Sequence, residues 1–140
     1  MIFGKNFSKI LVVFLVLFFI GQMVATFYSV YWRWPWFDNL MHFLGGAFIA
    51  MAMIWWSSKR IPLNFLPPVY TAIVILGFVA LVGVVWEFYE LAVDRLITKN
   101  NYIQLLEQGG LLDTLKDLLV DLLGGLTISL KFLYERKKRQ

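Results

Sequence analysis

Three short groups of residues in this 140-residue chain have types and spacings suited to chemistry. Asp38 and His42 stand four apart, which on a helix lets a carboxylate orient an imidazole as a base or a metal ligand. Glu87 and Glu90 are three apart, with Asp94 four further on. Residues 113–125, DTLKDLLVDLLGG, set Asp113, Asp117 and Asp121 at intervals of four inside an apolar run. Carboxylates gathered in one place cannot all stay ionised without counter-charge, so such a cluster must share protons, pair with a base or hold a cation. Oxygen-rich ligation with one imidazole favours a hard or borderline divalent ion, Mg²⁺, Mn²⁺ or Ca²⁺ ahead of Zn²⁺ or Fe²⁺. The expected ligands are Asp38, His42, Glu87, Glu90, Asp117 and Asp121, with Asp94 and Asp113 as second choices. His42, Glu87 and Asp117 are the candidates for a catalytic role.

Each group also has a plainer reading. DTLKD has the form of a helix start, where Asp113 would cap free N–H groups. Asp121 lies about 12 Å further along the same helix, too deep for that task. A lone histidine is usually structural, and Glu87 and Glu90 could sit at an interface beside Arg95. A serine triad is excluded in practice, because Ser29 is the only serine within reach of Asp38 and His42 and no motif supports the pairing. There is no cysteine, which removes thiolate ligands, cysteine nucleophiles and disulfides.

The elements that must position these groups follow from composition. The chain is 60% hydrophobic and 18% aromatic, with a mean hydropathy of +0.71, well above the roughly 45–50% apolar usage of soluble domains. The net charge of +4 comes from basic residues flanking apolar runs, the pattern of juxtamembrane charge and not of nucleic-acid binding. Runs of about 20 apolar residues can cross the hydrocarbon core. The expected fold is therefore a single all-α membrane domain over 1–140, a bundle of four transmembrane helices at about 10–28, 38–56, 68–94 and 113–133, with a basic tail over 134–140. Lysines precede the first run, but its length and the following aromatic cluster YSVYWRWPW read as a retained helix and not a cleaved signal. The tryptophans Trp55, Trp56 and Trp86 read as interface anchors, and Gly109-Gly110 as the turn before the fourth helix.

Sidedness follows from the basic residues. Lys5, Lys9, Lys59, Arg60, Lys131, Arg136, Lys137, Lys138 and Arg139 share one side, and only Arg33, Arg95, Lys99 and Lys116 the other. Both termini are expected in the cytoplasm, with loops 29–37 and 95–112 outside. Of the nine acidic residues, all but Glu135 then fall on the outer half, including Glu107.

At about 100° per residue, Asp113, Asp117 and Asp121 fall within about 80° of arc, with Gly124 inside it. Glu87, Glu90 and Asp94 fall within about 60°, and Gly83 and Ala80 continue their stripe. Gly45, Gly46 and Ala52 lie on or near the face of Asp38 and His42. Small residues permit close helix approach, so the carboxylates should point inward. Gly21, Gln22, Ala25 and Ser29 of the first helix are expected to close the pocket.

The order D-x3-H, E-x2-E and then QGGLLDTLKDLLVDLLGG, from Gln108 to Gly125, resembles the YjdF-type family of bacterial inner-membrane proteins over roughly residues 36–126. It is similar, more loosely, to the VanZ-like membrane proteins. Against the VanZ-like pattern, Glu90, Asp113 and Asp121 stand at the Gln, Arg and Asn positions, which makes this pocket more acidic. The resemblance implies a multi-pass fold and an inner-membrane address and assigns no reaction.

The leading expectation is a divalent-cation site near the extracytoplasmic side, acting on an envelope lipid or lipid-linked phosphate substrate. Transport or proton relay is the second; four helices are few for a monomeric pathway, so it calls for a homo-oligomer. A non-catalytic scaffold, with the acids serving helix packing, is the third.

Overall fold

The computed structural model describes residues 6–60, 63–97 and 110–138. All regular structure among them is helical: α1 (Phe7–Phe27), a short α2 (Val30–Arg33), α3 (Trp36–Arg60), a 3₁₀ turn (Leu63–Phe65), α4 (Pro68–Ile97) and α5 (Leu111–Lys137). The expected elements at 10–28, 38–56, 68–94 and 113–133 are all present and run two to four residues further at most of their ends. The expected loop 29–37 contains α2 instead, entered through Ser29 in the left-handed region at φ 54°. Lys5, Lys99, Glu107, Gln108, Gly109 and Arg139 lie outside the described residues.

Local chemistry explains the boundaries. Pro68 begins α4, where its missing N–H costs nothing and its fixed φ suits the first turn. Gly110, at φ 64°, turns the chain into α5 in a conformation that a side chain would oppose. Gly110 occupies the N-cap with no side-chain cap, so the capping expected of Asp113 is not found. Asp113 stands instead inside the first turn, at the positive end of the helix dipole.

Among the described residues three helices, Phe7–Phe27, Trp36–Arg60 and Pro68–Leu96, are long and apolar enough to cross a membrane. α5 has the length, with 27 residues, but carries Asp113, Lys116, Asp117 and Asp121 in its first half. α3, α4 and α5 form the packed unit, and α1 leans on α3. In the most apolar window of α1 only 11% is buried, against 39% in α3, so most of α1 faces away from the protein.

Glycine sets the α3–α5 spacing. A Cβ at Gly46 would overlap the Asp121 carbonyl, and one at Gly124 would overlap the Phe43 carbonyl. Backbone therefore meets backbone, the close approach that small residues allow between membrane helices. Below this crossing Ala50, Ile54, Leu63, Ile75, Val79 and Phe132 make an apolar core. At the other end Ala25, Tyr31 and Met41 make a second one between α1, α2 and α3. At the basic end Lys59 sits 3.9 Å over the Trp55 ring, and Arg136 Nη1 donates to the Leu63 carbonyl and Thr71 Oγ1, both at 3.4 Å.

Candidate metal centre

The stripes expected from periodicity do face inward. Asp38, His42, Glu90, Asp94, Asp117 and Asp121 are all buried, and Glu87 is half-buried. An unpaired buried charge is costly, so the contacts each group makes decide what the site can hold.

His42 is the hinge of the arrangement. Its Nε2 lies 3.7 Å from Asp38 Oδ1 on its own helix, and its Nδ1 lies 3.4 Å from Asp121 Oδ1 across the glycine crossing. Asp38, His42 and Asp117 can each offer a ligand atom with all three atoms within 4.8 Å of one another, and His42, Glu87 and Glu90 can do the same. Two potential ion sites thus share one imidazole. Asp121 belongs to neither group and stands beside the imidazole, with its Oδ2 2.7 Å from where a Cβ of Gly83 would lie. A side chain at 83 would displace that carboxylate. Asp94 is buried further along α4 and outside both groups.

The first group already has a cation. Lys116 Nζ lies 3.6 Å from Asp38 Oδ2 and 3.3 Å from Asp117 Oδ1, and it donates to Asp113 Oδ1. Asp117 Oδ1 is buried and has this charge beside it without a hydrogen bond. Among the described residues no lysine or arginine stands within ion-pair distance of Glu87 or Glu90. Glu90 Oε1 accepts from Trp86 Nε1 at 2.9 Å, the Thr114 side chain stands beside Glu87, and Glu87 Oε1 is buried with no hydrogen-bond partner. A buried carboxylate oxygen without a donor calls for a proton, a water or an ion beside it.

Trp86, Lys116, Thr114 and Tyr31 thus belong to the site although sequence reasoning gave them other roles or none. Trp86 stands four residues before Glu90 on the same helix face, a spacing that could have pointed to it. Tyr31, on α2, donates to Gln22 Oε1 on α1. Burial pushes the Tyr31 phenol above its ordinary range, and the Asp38 and Glu90 carboxylates push it the same way, so it remains a donor. Of the first-helix residues expected to close the pocket, Gln22 and Ala25 face inward, whereas Ser29 is exposed beyond the end of α1.

Asp38, Glu90 and Asp121, but not Glu87 or Asp117, open onto a cavity of about 200 Å³ lined mainly by α1, α3 and α4. Asp38, His42, Glu90 and Asp121 line one end, and Leu15, Phe48 and Val79 line the other. Phe18 of α1 meets Trp86 of α4 edge-on across it, with ring centroids 6.3 Å apart.

No curated protein and no solved structure matches the chain. The VanZ-like likeness rests on motif spacing alone. The match that does extend along the chain, over residues 2–138, is to the family described as predicted membrane protein, DUF2238. The chain therefore belongs to this YjdF-type family of membrane proteins.

Proposed function

We propose that this protein is a four-span inner-membrane protein that binds a divalent cation near the extracytoplasmic side. In this reading α5 crosses the bilayer with α1, α3 and α4. Its charges are tolerated because they face the other helices and each other instead of lipid. The basic residues at the opposite end support a topology with both termini in the cytoplasm.

One observation carries the cation reading: Glu87 Oε1 is buried without a hydrogen-bond partner in a group where His42, Glu87 and Glu90 can converge within 4.8 Å. The donor set fits Mg²⁺, Mn²⁺ or Ca²⁺ better than Zn²⁺ or Fe²⁺. Asp121 orients the His42 ring, Trp86 holds Glu90, Thr114 stands beside Glu87, and Lys116 neutralises the Asp38, Asp113 and Asp117 side. Such an ion supplies a Lewis acid for a phosphate-bearing headgroup. Metal analysis of detergent-purified protein, with Mn²⁺ supplied, tests this. Retention of about one ion per chain, reduced in Glu87→Gln and Glu90→Gln, is expected; no retention, or undiminished retention in both variants, overturns it.

A second reading, proton relay, is favoured by His42 standing between Asp38 and Asp121 at hydrogen-bonding and near-hydrogen-bonding distances. Proton flux in vesicles that is unchanged by Asp121→Asn counts against it.

A further inference from the structure

We infer that the crevice between α1, α3 and α4 holds the single hydrocarbon chain of an amphiphile whose phosphate-type head completes the coordination of the bound cation. This rests on the cation reading and adds to it the class of ligand.

The cavity is polar at one end only. Asp38, His42, Glu90 and Asp121 line that end, and from there its walls turn to Ile49, Phe48, Val79 and Leu15. A second cavity, lined by Leu15 and Phe48 again and then by Ala52, Trp56 and Phe78, adjoins the first on the side of the basic end. From Asp38 to Trp56 is eighteen residues along α3, or about 27 Å, close to the roughly 30 Å of a bilayer's hydrocarbon core. A ligand that was only an ion or a small phosphate would need none of this length.

Size argues for one chain. The first cavity, at about 200 Å³, is little larger than the roughly 150 Å³ space that admits a benzene ring. Gly45 contributes to it. A Cβ there would meet only the Phe18 ring at 3.6 Å and Asp121 Oδ1 at 3.9 Å, ordinary contacts. Helix packing therefore does not require glycine at 45 as it does at 46, and the missing side chain leaves room in the cavity.

The head must be an oxyanion bridged by metal. The polar end presents carboxylates and an imidazole, which repel a bare phosphate and attract it once a divalent ion sits among them. Lipid tails are as apolar as the walls, so the crevice holds a hydrocarbon chain by close van der Waals packing and not by a hydrophobic gain. The head and this packing set affinity together, and the crevice selects ligands by the shape and number of chains. Access is lateral, past α1, the least buried of the long helices.

Native mass spectrometry of the full chain in phosphatidylcholine nanodiscs tests this with Mn²⁺ and either dodecyl phosphate or inorganic phosphate. Dodecyl phosphate should bind one per chain, only with Mn²⁺, and at least tenfold more tightly than inorganic phosphate. Leu15→Trp, which fills the crevice away from the ligands, should weaken dodecyl phosphate at least tenfold and leave Mn²⁺ binding unchanged. Gly45→Ala, a milder narrowing, should act in the same direction. Mn²⁺ binding without preference for dodecyl phosphate, or without any effect of either variant on it, overturns the chain site and leaves the cation reading standing. Absence of Mn²⁺ binding overturns both.

Discussion

His42 Nδ1 lies 3.4 Å from Asp121 Oδ1 across the line where α3 and α5 touch through Gly46 and Gly124. The imidazole is thereby held from the opposite helix while its other nitrogen faces Asp38. A histidine oriented in this way by carboxylates is a better metal ligand than a free one.

Replacing His42 removes the ligand common to both groups. His42→Ala should therefore lower Mn²⁺ affinity by at least a hundredfold in titration calorimetry. Asp121→Asn keeps the ligands and disturbs only the ring, so a loss of about 10- to 100-fold is expected. Equal affinity in wild type and His42→Ala would place any bound ion elsewhere.

Trp86→Phe deletes the donor to Glu90 Oε1 while keeping most of the ring. Cation affinity should fall about 10- to 100-fold, the usual effect of losing a group that fixes a ligand, with thermal stability little changed. An unaltered affinity would return Trp86 to the role of an interface anchor.

The helix crossing makes a separate prediction about stability. Gly46→Ala and Gly124→Ala each force a methyl group into opposing backbone, and each should destabilise the detergent-solubilised protein by about 1–3 kcal/mol. Gly45→Ala, one residue away, meets only ordinary contacts and should cost much less. Thermal unfolding of the three variants side by side distinguishes these cases.

Lys116 acts as an internal cation for Asp38, Asp113 and Asp117. Its side chain is 40% exposed, so Lys116→Met should cost only about 1 kcal/mol in the metal-free protein. Removing a positive charge from the site should also tighten Mn²⁺ binding by roughly tenfold. Weaker Mn²⁺ binding in Lys116→Met would show that the lysine serves the ion site by holding its carboxylates in place.

The long helices and the inward direction of the acidic stripes were legible in the sequence because both depend on periodicity alone. Gly46 and Gly124 could be placed on the right faces for the same reason. The partners of the carboxylates could not. Lys116 reads as one of four outer basic residues until α5 is seen to turn it toward Asp38 and Asp117. Trp86 reads as a membrane anchor because hydropathy does not reveal that its N–H reaches Glu90. Asp113 has the composition of a cap, but Gly110 at φ 64° begins the helix three residues earlier. α2, at four residues, is too short for any periodic signal.

Because the glycine crossing brings main chain against main chain, the gap between His42 and Asp121 has no side-chain slack in its floor. One wall of the pocket is therefore stiff. Widening to admit a bulky guest is expected at the wall that α1 supplies, whose apolar window is buried less than those of α3 and α4, and not at the α3–α5 pair.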